Sequence, residues 1–311
     1  MEITPARIAA AHAAIGPVFK DTPQFLCAGL EREIGRPVLL KVETLNPIRC
    51  FKGRGNSWFA HQCAKGARIV TASAGNFGQG AAYCGTRAGL KVTVVAAENA
   101  NPLKVEAMRN FGAEVVLKGH DFDAAKAHAA DLARATGAAF LEDGREPAIA
   151  EGAGTIALEL LRSATRPAAI YVPVGNGALI SGIAAWTKAY APELRIIGVV
   201  PEAAPSMLLS WRARKVVTTE RADTIADGLA VRLPVDVAVD FMLDRVDDMV
   251  TVSEARMVEA MRLLFRHAGV AVEPSGAAGL AAILDAPRAD APVATILCGG
   301  NLRPDMLGDL L

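Results

Sequence analysis

Seven nearly unbroken apolar runs recur along the chain with segments of helical spacing between them, and this alternation constrains the fold more than any other feature. P-V-L-L-K-V-E (37–43), R-I-V-T-A-S (68–73), K-V-T-V-V-A-A (91–97), E-V-V-L (114–117), A-I-Y-V-P-V (169–174), R-I-I-G-V-V (195–200) and V-A-T-I-L-C (293–298) read as buried strands. Without polar alternation, such runs suit parallel strands covered on both faces. Segments 76–88, 101–112, 122–136, 151–162, 178–190, 253–267 and 275–285 read as helices. Strand–helix–strand alternation predicts an α/β fold with parallel sheets and right-handed crossovers.

A length of 311 residues suits one large domain or two of ordinary size. With 52% hydrophobic and 21% charged residues, the chain can bury a sizeable core. A polar, turn-rich break at E-D-G-R-E-P (142–147) marks one candidate boundary, and a second follows Gly55. The 33 basic and 33 acidic residues cancel, so no charge excess steers the protein to nucleic acid or an anionic membrane. No apolar run reaches the length of a membrane span. M-E-I-T-P-A-R lacks a basic region followed by an apolar run, so the expectation is no signal peptide and a cytoplasmic location. Five cysteines form no C-x-x-C pair and five histidines show no ligand spacing, so no disulfide framework or metal site is expected.

In sheets of this kind, ligands bind where strands end and helices begin. T-A-S-A-G-N-F-G-Q-G (71–80) follows a strand, and its small residues lead to amide donors at a helix N-terminus. Ser73, Asn76 and Gln79 add polar side chains, a set suited to a carboxylate. The plain alternative is that Ser73 or Asn76 merely caps the helix. V-P-V-G-N-G-A-L-I-S-G (172–182) repeats the strand–turn–helix pattern, and Gly175 and Gly177 can turn successive amides toward a phosphate. It has neither the P-loop G-K-[ST] nor the dinucleotide G-x-G-x-x-G spacing. C-F-K-G-R-G-N (50–56) sets Lys52 beside an aromatic, with glycines around Arg54 that make a poor helix interior. An amine in apolar surroundings becomes a nucleophile or base, whereas an ordinary surface lysine only snorkels its stem. A reactive amine, a phosphate cradle and a carboxylate loop together suit pyridoxal phosphate and an amino-acid substrate.

In order and wording these segments resemble the threonine/serine dehydratase family of fold-type II pyridoxal-phosphate enzymes, which are tryptophan synthase beta-like. C-F-K-G-R-G-N is similar to the family's S-F-K-x-R-G-A, S-A-G-N-F-G-Q-G to its S-S-G-N-H-x-Q-G, and V-P-V-G-N-G-A-L-I-S-G to its glycine-rich phosphate loop. I-A-D-G-L-A-V (225–231), V-E-P-S-G-A-A-G-L-A-A (272–282) and L-C-G-G-N (297–301) resemble further blocks, while D-T-P (21–23) and E-G-A-G-T-I-A-L-E (151–159) match more loosely. The resemblance implies two domains, each an open, mostly parallel, twisted sheet flanked by helices, with the cofactor in the cleft between them. Residues 1–55 and 146–311 would form the large cofactor-binding domain, and 56–145 the small substrate-side domain.

By the same resemblance, Lys52 carries the cofactor as a Schiff base and serves as Cα base, with Phe51 beside it. Asn76 meets the ring hydroxyl, while Ser73, Ala74, Gly75 and Asn76 hold the substrate carboxylate. Gly175, Asn176, Gly177, Ala178 and Leu179 hold the phosphate, Gly228 and Glu273 belong to the cofactor wall, and Cys298 faces the pyridine nitrogen as a neutral thiol. Asp227 and Glu273 could equally be caps or solvated charges, and Arg54 a structural partner of an acid. The implied activity is a dehydratase (ammonia-lyase) acting on a β-hydroxy amino acid such as L-threonine, L-serine or a β-substituted serine.

Several positions depart from the family pattern. Cys50 replaces a small hydroxyl residue, Asn176 and Ala178 thin the glycine loop, and Phe77 replaces a common histidine. Ala74 stands where serine racemases carry a proton-donating serine, and Val200 where a cation-binding glutamate is usual, so no metal is carried over. A racemase, a threonine-synthase-like enzyme, a diaminopropionate-type lyase and a non-catalytic amino-acid-binding protein remain alternatives. Family likeness implies a homodimer, with an amino acid as the small-molecule partner. The short stretch after Cys298 sets the expectation of no C-terminal regulatory domain.

Overall fold

The structure is a computed structural model describing residues 1–287 and 289–310. Ten strands are present among them: β1 (Gln24–Leu26), β2 (Val38–Val42), β3 (Arg68–Ala72), β4 (Lys91–Ala96), β5 (Glu114–Leu117), β6 (Ala139–Leu141), β7 (Ala169–Pro173), β8 (Arg195–Pro201), β9 (Asp248–Val252) and β10 (Val293–Leu297). They form a six-stranded sheet ordered β1-β2-β10-β7-β8-β9 and a four-stranded sheet ordered β5-β4-β3-β6. Every pairing is parallel except β1 with β2. The fold is therefore two parallel-sheet α/β domains flanked by helices, with the small sheet built from the middle of the chain. No helix among the described residues is long and apolar enough to cross a membrane.

All seven strands read from the sequence are present to within a residue or two at their ends. The three that escape sequence reading are β1 and β6, three residues each, and β9, whose D-D-M-V-T-V lacks an unbroken apolar run. The 151–162 helix begins earlier, at Pro147, where proline suits the first turn and the Glu146 side chain accepts from the Ala148 N–H. Four further helices, Pro5–Ala14, Ala28–Ile34, Ser206–Ala213 and Asp236–Met242, give no clear periodic signal.

The largest correction concerns C-F-K-G-R-G-N. Its glycines do not break a helix; Lys52–Gln62 is an unbroken helix running through position 55. It crosses the buried helix Pro147–Leu160 at Gly55 and Gly152, where a Cβ on Gly152 would lie 2.5 Å from the Gly55 Cα. The glycines permit that close approach, and the packing outweighs the ~1 kcal/mol helix penalty of each glycine.

Arg54, in the first turn of the helix, is wholly buried. Its Nε and Nη2 donate to Glu43 at 2.7 and 2.8 Å, and Nη1 and Nη2 donate to Glu159 at 2.6 and 2.9 Å. Nη1 also donates to the Thr155 hydroxyl at 2.8 Å, and Lys41 Nζ reaches Glu159 at 2.6 Å. Two cations and two carboxylates thus pin the helix to the residue after β2 and to the Pro147–Leu160 helix.

Candidate active site

The carboxyl ends of β3 and β7 and the N-terminus of the Lys52–Gln62 helix converge on a cavity of about 430 Å³ between the two sheets. Phe51, Lys52, Ser73, Ala74, Gly75, Asn76, Gly175, Asn176, Gly177, Ala178, Leu179, Gly228, Glu273 and Cys298 all line it. Residues scattered from position 51 to position 298 therefore share one cavity, because each sits at or just past the carboxyl end of a strand or where a loop meets a helix.

Lys52 is largely buried, its Nζ 4.7 Å from the Phe51 ring centre and 5.4 Å from that of Phe77. Its amine is not left bare: it donates to both Asp143 carboxylate oxygens, at 2.9 and 2.7 Å. Sequence reading misses Asp143, which lies in the turn after the equally missed β6. The only available signal is its place in the polar break E-D-G-R-E-P.

In the β3 turn Ser73 plays the capping part considered for it. Ser73 Oγ accepts from the N–H groups of Gly75 and Gly78, at 3.1 and 2.9 Å, so it secures the turn and the start of helix Asn76–Arg87. Asn76 is oriented at both ends of its amide, with Nδ2 donating to Glu273 Oε1 at 2.5 Å and Oδ1 accepting from Asn301 Nδ2 at 2.8 Å. Asn301 belongs to L-C-G-G-N, a block whose wording alone assigns it no role. Gln79 is buried below the turn, not on the cavity wall.

Glu273 is buried, and among the described residues its Oε2 has no hydrogen-bond partner. Burial, then the nearby Asp227 charge, pushes its carboxyl up to about 7. Asp227 itself is an ion-pair partner of Lys104 rather than a cap. Because the folded protein binds the Glu273 proton more tightly than an unfolded chain, with its ordinary value of 4.5, stability falls as pH rises from 4.5 through about 7. In cofactor-free protein, Glu273→Gln flattens that decline, as urea titrations at pH 5 and 7.5 would register; an unchanged slope would assign the decline to other groups.

The third wall is the turn after β7. Gly175 packs so closely that a Cβ there would lie 2.5 Å from the Gly228 carbonyl oxygen. Gly177, at φ 90°, caps helix Ala178–Tyr190, which has no side-chain cap. Among the described residues no side chain caps that first turn, so its N–H groups can receive an anion. At the far wall, Cys298 Sγ lies 3.4 Å from the Ser275 carbonyl oxygen, and burial raises its thiol well above the ordinary value. Cys50, also buried and likewise raised, sits behind the wall and does not line the cavity.

A neutral thiol, an anion-ready helix N-terminus and a buried amine on one cavity fit pyridoxal phosphate: its carbonyl would meet Lys52, its phosphate Gly175–Leu179 and its ring nitrogen Cys298. The comparisons agree. Residues 15–299 match the family model described as pyridoxal-phosphate dependent enzyme. The chain is 35% identical over 286 residues to an L-threonine ammonia-lyase of Thermotoga maritima, covering 91% of this chain and 71% of that one. It is 34% identical to a serine racemase of Arabidopsis thaliana, covering 96% and 93% of the two chains. A solved T.th. threonine deaminase superposes with TM-score 0.91 at 35% identity, covering 96% and 99%. On fold, site and sequence together, the chain belongs to the pyridoxal-phosphate dependent enzymes.

Proposed function

We propose that this protein is an ammonia-lyase that eliminates the β-hydroxyl of an amino acid such as L-threonine or L-serine, giving a 2-oxo acid and ammonia. The observation that carries this reading over racemisation is Ala74 on the cavity wall. Serine racemases and ammonia-lyases are both among its relatives, at similar identity. Racemisation needs a second proton donor across from the lysine, and an alanine side chain has no proton to give.

Pyridoxal phosphate, when bound, supplies the electron sink that makes the substrate's Cα proton removable. Lys52 Nζ takes that proton. The Ala74 and Asn76 amides, in the turn shaped by Ser73, receive the substrate carboxylate, while the Gly75 N–H is already shared with Ser73 Oγ. Asn76, fixed by Glu273 and Asn301, orients the ring. Cys298 offers the ring nitrogen a neutral partner, which favours elimination over chemistry requiring a fully charged ring. Phe77 lends the pocket an apolar wall. Residues 56–145 are taken as the substrate-side domain and 1–55 with 146–311 as the cofactor-binding domain, a division supported by which segments build each sheet. A homodimer is the expected assembly, to be read by sedimentation.

Cofactor-loaded protein should release 2-oxo acid from L-threonine, L-serine or a β-aryl serine, measured with lactate dehydrogenase or a hydrazine. Recovered substrate should keep its chirality. A racemised, uneliminated substrate pool would overturn the assignment.

A further inference from the structure

Among the described residues, Asp143 is the one carboxylate bonded to the Lys52 amine, through both oxygens, and its side chain is largely buried. Neither a surface contact nor a helix cap accounts for it, since it sits mid-turn after β6 and lines the cavity. The turn that carries it is held firmly. Gly144 takes φ 86°, and a Cβ there would collide with the Asn176 carbonyl oxygen of the phosphate-side turn. On one side of Asp143, Glu142 is paired with Lys126 at 2.6 Å; Arg145 bonds Glu142 at 2.9 Å and Asp236 at 2.8 Å. The turn carrying the carboxylate thus packs against the segments at Asn176 and Asp236, although β6 belongs to the other sheet. That is the precision expected of a group that acts, since a displacement of about 1 Å costs ~10²-fold in rate.

Hydroxide is a poor leaving group, so the β-oxygen must be protonated as its bond to carbon breaks. We propose that Asp143 is a second catalytic residue, relaying the proton that Lys52 removes from Cα to the departing β-hydroxyl. The inference rests on the ammonia-lyase reading. The Cα–H bond breaks, with its proton passing to Lys52 Nζ and its electron pair forming the Cα–Cβ double bond. The proton moves over the 2.7–2.9 Å hydrogen bonds to an Asp143 oxygen and then to the β-oxygen. The C–O electron pair leaves with that oxygen, which departs as water; Lys52 and Asp143 end in their starting protonation states. No oxidant or reductant is needed.

The test is Asp143→Asn, which keeps the side-chain shape and removes the acid. With L-serine or L-threonine, kcat should fall by ~10²–10⁴-fold, the usual worth of a general acid. β-Chloro-L-alanine, whose chloride leaves without a proton, should be processed by the variant near the wild-type rate. In D2O the variant should still exchange the L-serine Cα proton, seen by NMR, and should bind pyridoxal phosphate normally in an absorbance titration. Equal losses on serine and chloroalanine, an unchanged kcat on serine, lost Cα exchange or lost cofactor binding would each overturn the relay. If wild-type protein eliminates β-chloro-L-alanine yet yields no 2-oxo acid from any β-hydroxy amino acid, the ammonia-lyase reading fails, and the relay with it. Normal wild-type turnover with equal variant losses would sink the relay alone.

Discussion

Lys52→Ala should abolish both turnover and covalent cofactor attachment. Borohydride treatment of loaded wild-type protein fixes the cofactor to one peptide, the one containing residues 50–56; the variant should yield no labelled peptide and no visible absorption from protein-bound cofactor. Removing the base alone costs ~10²–10⁴-fold, and losing the covalent anchor adds to it, so kcat with L-threonine should fall at least that far. Two other lysines at or beside the cavity are already engaged. Lys126 also lines the cavity but is held by Glu142, and Lys104 is held by Asp227. A second lysine labelled by borohydride in the variant, with turnover kept, would remove Lys52 from the centre of the site. The variant also strips Asp143 of its partner, so a modest loss of thermal stability is expected without unfolding.

The largest effect on stability belongs two residues further on. Arg54→Met should destabilise the protein by about 3–5 kcal/mol, because it leaves Glu43 and Glu159 buried with Lys41 alone to offset them. Despite burial, Glu43 and Glu159 hold the guanidinium firmly charged. Glu159, which burial would raise, is brought down to about 2 by Arg54 and Lys41. Its depressed carboxyl stabilises the fold above the unfolded value of 4.5, and that contribution is lost as pH falls from there toward 2. Guanidinium titration at pH 7 measures the first effect, and melting curves between pH 5 and 3 the second. Arg54→Lys should recover little of the loss, since an ammonium cannot span two carboxylates bidentately. A variant as stable as wild type would show that the network is replaceable. Because Arg54 fixes the same helix turn that presents Lys52, the surviving fraction should also bind cofactor more weakly.

The two strand-to-helix turns that line the cavity were legible because each shows its pattern locally: a buried strand, small residues, then a helix start. The same held for the strands with unbroken apolar runs and for Lys52 with Cys298, which line one cavity as expected. C-F-K-G-R-G-N was misread at the level of secondary structure for a physical reason. Intrinsic propensity counts glycine against a helix, while the gain from the Gly55–Gly152 crossing belongs to a partner helix far along the chain. Strands β1 and β6 escaped because three residues show no period.

Arg54 was readable as the partner of an acid, but Asp143, Asn301 and the identity of the Arg54 acids, Glu43 and Glu159, lay beyond the sequence because their meaning is pairwise. A carboxylate in a polar turn looks like any solvated acid until the fold brings an amine within 2.7 Å of it. Glu273 was readable as an acid of the cavity wall, but its raised carboxyl follows from burial and the Asp227 charge, which only packing creates. By itself the sequence determined the α/β class and the family and singled out Lys52, since periodicity and local motifs are properties of neighbouring residues. The tertiary structure decided which charges are buried, which are paired and which stands beside Lys52, because electrostatic energy depends on distances and solvent exclusion that no single segment contains.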